Sequence, residues 1–186
     1  MLDLYEIDVP DLDFLYYPTK GKNKAVGIYC PSCGCINKNW LRPYDDKSKN
    51  IRKNIVGTYD GVIFIRDEFR EYLAKNCSRE LSFHQIFRNV YRLKCDDLII
   101  FDRTVEDGSG RHEYCETCGE HKIELYVGWH RIANSDQVDP WGLYFSDVKW
   151  GTCPDKSPIL FAGGKLAHAL AHDFPEVYLH KYKGLH

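Results

Sequence analysis

Nowhere does this chain carry a run of 18 apolar residues, so no segment is expected to cross a bilayer as a helix. Its first residues, "MLDLYEIDVPDLDF", lack both the basic flank and the long apolar stretch of a secretory signal. These two absences point to a cytoplasmic address. A dominant charge is missing too. The formal net charge is −2, and no global positive field draws the chain onto nucleic acid or anionic lipid. There is no low-complexity tract, and 44% hydrophobic with 14% aromatic residues is too apolar a composition for a disordered chain. A length of 186 residues suits one domain or two small ones, with enough chain for a real core.

Signatures of catalysis are also lacking. No serine sits in a G-x-S-x-G elbow. "AGGK" at 162–165 has neither the leading glycine at Walker spacing nor a Ser/Thr after Lys165. His168 and His172 are four apart, but Ala169 stands where a zinc-protease helix needs Glu. They read as solvent-facing histidines near a helix C-terminus, where the dipole favours them. A nucleophile, a base and an orienting group do not assemble, and the chain is expected not to be an enzyme.

Cysteine, by contrast, is plentiful, with eight residues. Four of them sit in one phrase written twice, "CPSCG" at 30–34 and "CETCG" at 115–119. Each Cys-x-x-Cys can bring two sulfurs to one ion, and Zn²⁺ takes a tetrahedron of four. Gly34 and Gly119 suit the sharp turn that closes such a knuckle, because glycine adopts positive φ without a Cβ penalty. Cys30, Cys33, Cys115 and Cys118 are therefore assigned to one structural zinc site, closed to water and so not catalytic. The halves of compact zinc ribbons lie about 15–20 residues apart; here the metal must join remote parts of the chain. A thioredoxin-like dithiol needs only one such motif, and disulfides are unexpected in a reducing compartment. Cys35 is near enough to substitute as a ligand. Cys77, Cys95 and Cys153 have no partner in sequence and read as small core residues. His112 and His121 flank the second knuckle and read as surface or supporting groups.

A second repetition is less visible. "GVIFIRDEFREYLAKNC" (61–77) aligns without a gap on "PILFAGGKLAHALAHDF" (158–174). Val62 falls on Ile159, Phe64 on Phe161, Phe69 on Leu166 and Leu73 on Leu170. Each copy begins as a short buried strand and continues as a helix with apolar side chains at i and i+4. "LSFHQIFRNVYRL" (81–93) and "EVYLHKY" (176–182) follow as strand-like runs. The expected fold is α+β: two related strand–helix–strand halves, about 1–95 and 96–186, with mixed sheets and helices on one side, joined by a split, zinc-ribbon-like site of four cysteines.

One basic strip, Lys38, Arg42, Lys47, Lys49, Arg52 and Lys53, interleaves with Trp40 and Tyr44. Beside a zinc knuckle it could hold single-stranded nucleic acid by backbone charge and stacking. That makes a zinc-ribbon nucleic-acid-binding protein the alternative reading. Asp45 and Asp46 interrupt the strip, and the second knuckle sits among Glu106, Glu113, Glu116, Glu120 and Glu124, so nucleic acid is the weaker partner.

The split pair of C-x-x-C-G phrases at Cys30, Cys33, Gly34, Cys115, Cys118 and Gly119, each followed by a strand–helix–strand segment, resembles the double-CXXCG motif proteins. The ending "SPILFAGGKLAHALAHDFPEVYLHKY" (157–182) resembles the close of related immunity families. Many such bacterial proteins are immunity proteins of polymorphic toxin systems. The resemblance implies a cytoplasmic protein that binds and neutralises a cognate toxin. Large aromatic anchors and charged rims suit interfaces, so Trp40, Tyr44, Glu116 and Glu120 are the candidate partner-binding residues.

Overall fold

Ile63–Arg66 and Ser157–Gly163 are short apolar strands, and each runs directly into a ten-residue helix. The computed structural model describes residues 3–12, 29–36, 51–58, 61–102, 110–125, 130–153 and 156–184. In chain order the strands are β1 (Leu4–Asp8), β2 (Asp11–Leu12), β3 (Ile55–Thr58), β4 (Ile63–Arg66), β5 (Leu81–Phe87), β6 (Val90–Cys95) and β7 (Leu98–Ile99). They continue with β8 (Gly110–Cys115), β9 (Glu120–Leu125), β10 (Leu143–Thr152), β11 (Ser157–Gly163) and β12 (Tyr178–Lys181). The helices are α1 (Asp67–Asn76) after β4 and α2 (Gly164–Asp173) after β11.

Both helices follow from local chemistry. α1 begins with Asp67 and Glu68, acids that favour the helix dipole, and buries Phe69 and Leu73 one turn apart. α2 buries Leu166, Ala167 and Leu170 on the equivalent face. It ends where Pro175 would have to continue it.

Among the described residues the strands form two sheets, ordered β12-β1-β11-β10-β9-β8 and β2-β3-β4-β6-β5. Most neighbours are antiparallel, but β2 runs parallel to β3, and β7 joins the larger sheet parallel to β10, so both sheets are mixed. Every strand of the smaller sheet precedes residue 96; the larger one draws β7–β12 from after it and β1 from the N-terminus.

Around each helix the pairing runs in the same pattern. β4 lies between β3 and β6, with β5 outside β6; β11 lies between β10 and β1, with β12 outside β1. Ile55 opposes Ile65 and Val56 opposes Phe64, as Leu143 opposes Ala162 and Tyr144 opposes Phe161. On the other flank Tyr91 opposes Ile65, and Tyr5 opposes Ala162. One strand further out His84 opposes Arg92, and His180 opposes Glu6.

Alternation along the strands divides the apolar side chains between a shared core and two smaller ones. Ile63, Ile65, Leu160 and Ala162 enter the central cluster with Phe69, Leu73, Leu166, Leu170 and Phe174. Phe64 turns to a cluster with Ile51, Val56, Val62 and Val90, and Phe161 to one with Leu4, Ile99, Phe101 and Tyr182. Phe69 and Tyr72 of α1 meet Phe174 edge-on, at 4.8 and 5.2 Å between ring centres, so the helices of the two units pack in one core.

One expectation changes. The run 81–93 is a hairpin rather than one strand: β5 and β6 pair across a turn in which Asn89 takes φ 65°. Asparagine tolerates that left-handed conformation better than most residues. β10 runs to Thr152, and its far end carries the cysteine-rich end of the molecule.

Candidate metal centre

The first half of the centre is a short loop. Tyr29 and Ile36 form a bridge that closes residues 30–35 into a knuckle, with the Cys30 N–H donating to the Cys35 carbonyl at 2.8 Å. The second half is the turn between β8 and β9. The two knuckles match. Gly34 N–H donates to Cys30 O at 2.9 Å and Gly119 N–H to Cys115 O at 2.8 Å. Gly34 has φ 77° and Gly119 φ 72°, the left-handed conformation that favours glycine.

The knuckles face each other across 85 residues of sequence. Cys30 Sγ lies 3.7 Å from Cys115 Sγ, Cys33 Sγ lies 3.5 Å from Cys118 Sγ, and the hydroxyls of Ser32 and Thr117 meet at 3.0 Å. All four sulfurs fall within 4.8 Å of one another. A tetrahedral ion with metal–sulfur bonds of about 2.3 Å needs its sulfurs about 3.8 Å apart, so this cluster can hold a metal ion with little adjustment. All four cysteines picked out by the repeated phrase belong to it.

Backbone and burial differentiate the thiols. The Cys33 N–H beside Cys30 lowers the Cys30 pKa, and the Cys118 N–H brings Cys115 down to about 6. Desolvation pushes Cys33 up to about 12 and raises Cys118. Within each knuckle the first thiol is thus the more acidic of the two, and a metal must displace the proton of the second as it binds.

The remaining cysteines depart from expectation. Cys35 and Cys153 form a disulfide, 118 residues apart in sequence; Cys35 is not a spare ligand, nor is Cys153 an unpartnered core residue. Geometry brings them together. Cys35 ends the first knuckle, and Cys153 follows the extension of β10 that pairs with β9, Gly151 opposite Glu124 and Thr152 opposite Ile123. Cys153 N–H then donates to Lys122 O at 2.8 Å. Cys77 and Cys95 are free, the first half-buried and the second buried.

Beneath the second knuckle lies an ion cluster that the sequence reading missed. Lys156 Nζ, only 6% exposed, sits 2.7 Å from Glu124 Oε1, 3.8 Å from Glu120 Oε2, and donates to the His121 carbonyl at 2.5 Å. Glu124 also accepts from the Lys149 N–H at 3.0 Å and from Arg111 Nε at 3.4 Å. Arg111 reaches on to the Asp147 carbonyl at 2.7 Å. Burial alone would raise the Glu124 pKa, but the Lys156 hydrogen bond, the Lys149 N–H and the Arg111 charge outweigh it and hold the pKa below the usual carboxylate range. No single segment predicts this network, because its members come from β8, β9, β10 and the turn before β11.

The other candidates separate. Glu116 is exposed at the knuckle tip, whereas Glu120 turns inward beside Lys156. Trp40, Tyr44 and most of the basic strip lie outside the described residues. His112 is exposed; His121 is half-buried, its ring 5.1 Å from that of Tyr114. Neither joins the thiol cluster. His168 pairs with the Tyr5 hydroxyl at 3.2 Å and His172 with Asp173 at 2.7 Å, so the two histidines share no ligand. Among the described residues no helix is long and apolar enough to cross a membrane. No known protein family, curated protein or solved structure matches the chain.

Proposed function

We propose that this chain is an immunity protein: a cytoplasmic binding protein that neutralises a cognate toxin with a surface held rigid by a structural zinc ion. The observation that carries the reading is the convergence of two C-x-x-C-G knuckles from remote parts of the chain onto one four-thiol cluster. It is the same pair of phrases on which the resemblance to the double-CXXCG proteins rests. Zinc is the ion proposed because four thiolates complete its tetrahedron and it brings no redox chemistry of its own to a clamp. Pro31, Ser32, Glu116 and Thr117 are exposed at the knuckle tips. A surface fixed by a metal loses little entropy on docking, and its charged rim tunes on-rate and partner choice. Glu116, with Trp40 and Tyr44 of the basic strip, is the proposed contact set; Glu120 supports it from beneath.

The two strand–helix–strand units are proposed to be related halves. Support comes from α1 at 67–76 and α2 at 164–173, which keep one spacing at both ends, and from the matched strand registers around them.

Two measurements test the reading. Metal analysis of freshly purified protein is expected to return one zinc per chain; iron, or no metal, overturns the zinc assignment. Co-expression with the product of the adjacent gene is expected to relieve toxicity and yield a stoichiometric complex, which Glu116→Arg weakens about tenfold, or 1.4 kcal/mol. The absence of both protection and a complex would sink the immunity reading.

A further inference from the structure

We propose that the Cys35–Cys153 disulfide sets the metal affinity of the four-cysteine site, making it a redox-tuned zinc site: tight when the bond is closed and weaker when it is open. The inference rests on the zinc reading above and adds a regulatory input to it.

The disulfide and the four-thiol cluster join the same two pieces of structure. Cys35 is one hydrogen bond from Cys30, through its own carbonyl, and two residues from Cys33. Cys153 is one hydrogen bond from Lys122, on the strand that leaves the second knuckle. Both disulfide sulfurs lie 3.9 Å from the His121 carbonyl oxygen, directly over β9. A metal binding at Cys30, Cys33, Cys115 and Cys118 must bring the two knuckles together. A closed Cys35–Cys153 bond has already done so. A short covalent link raises the effective concentration of one dithiol about the other, so less of the binding energy goes into closing the loop. With the bond open, the first knuckle is held by Tyr29 and Ile36 on the small apolar cluster around Val62 and Phe64 and by the Ser32–Thr117 contact, a weaker restraint.

The bond is placed to be opened. A cleft of about 410 Å³ runs between the sheets, and Cys35, Val62, Leu93, Phe145, Cys153 and Lys156 are among the residues lining it. Cys35 is 2% exposed and Cys153 half-buried, so an incoming thiolate attacks the Cys153 sulfur. Cys35 leaves as a thiolate and takes up a proton. The reductant's second thiol then displaces Cys153, which is protonated in turn. One cellular dithiol becomes a disulfide, and two electrons and two protons pass to the protein.

Because the coupling is a free energy between two events, it is reciprocal. Whatever factor the disulfide adds to zinc affinity, zinc adds to the disulfide's resistance to reduction. A tenfold coupling corresponds to about 30 mV for a two-electron couple.

Two measurements on the full chain test it. Zinc affinity is read by competition with a chromophoric chelator, for oxidised wild type and for the Cys35→Ser/Cys153→Ser double variant. The variant is expected to bind one zinc at least about tenfold more weakly; equal affinity overturns the coupling while leaving the zinc site standing. Absence of zinc binding in both proteins overturns the zinc reading and the coupling with it. Should the variant fold poorly, wild type is equilibrated in glutathione buffers with and without saturating zinc, and the Cys153 thiol is quantified by alkylation and mass spectrometry. The midpoint is expected to shift by the same factor; an unmoved midpoint refutes the proposal.

Discussion

Where α1 meets α2, the molecule is held by apolar burial: Phe69, Leu73, Leu166 and Leu170 are fully buried, and Phe174 closes over them. At the knuckle end the cohesion has another chemistry. There a four-thiol cluster, a disulfide and the Lys156–Glu124–Arg111 ions join strands whose own side chains are mostly half-buried or exposed, among them Tyr114 at 60% and Leu125 at 46%. A cluster of large hydrophobics tolerates changes of solvent chemistry and suffers from lost volume. A cross-linked end tolerates lost volume and suffers from changes of solvent chemistry. β10 bridges the two. Its first residues pair with β11 in the core, its register shifts between Phe145 and Lys149, and its last residues carry β9.

The largest expected effect comes from removing the proposed zinc. Structural zinc in zinc-finger peptides contributes about 10–16 kcal/mol of apparent folding energy. Chelator together with a reductant is therefore expected to abolish amide protection across 110–125 and 30–35 while the helices keep theirs. Phe69→Ala is the converse. It should cost about 3–5 kcal/mol in global stability with a full complement of zinc retained. Hydrogen exchange with metal analysis on both samples checks the contrast. Equal loss of protection everywhere in both would show one cooperative unit and erase the division drawn above.

A smaller effect is expected from the buried ions. Lys156→Met leaves Glu124 buried with its closest charge removed, at a cost of about 3 kcal/mol. The pH dependence has a definite sign. The folded pKa of Glu124 lies below the ordinary glutamate value of 4.5, so its contribution is complete above about that pH and is lost as pH falls through the folded value. Denaturation midpoints measured from pH 7 to 3 should therefore fall for wild type and fall less for Glu124→Gln. Parallel curves would mean that the carboxylate contributes nothing to acid sensitivity.

Much of this was legible in the residues, for physical reasons that differ by element. The helices were visible because Phe69/Leu73 and Leu166/Leu170 repeat at helical spacing, and a helix closes its own hydrogen bonds locally. The four-thiol cluster was visible because each knuckle is a five-residue phrase whose glycine reports the turn. The disulfide was not: Cys153 belongs to no motif and reaches Cys35 only because β10 outruns its core pairing. Nor was the Lys156–Glu124 pair, since each charge alone resembles a solvated surface residue. The hairpin at 88–89 was hidden because Arg88-Asn89 is not a strong turn signal, and the place of β1 beside β11 depends on pairing across almost the whole chain.

The smallest effect sharpens the comparison most, because it separates the metal from the contacts around it. Ser32 and Thr117 occupy the same position in their knuckles, and their hydroxyls meet at 3.0 Å on an exposed surface. An exposed hydrogen bond of this kind contributes about 0.5–1 kcal/mol. In a double-mutant cycle of Ser32→Ala and Thr117→Ala the coupling energy should be of that size in zinc-loaded protein. It should vanish in reduced, zinc-free protein, where only the weaker packing of Tyr29 and Ile36 on the apolar cluster restrains the first knuckle. A coupling that survives metal removal and reduction would mean that the knuckles dock by their own surfaces, with the sulfur cross-links recording that approach rather than causing it.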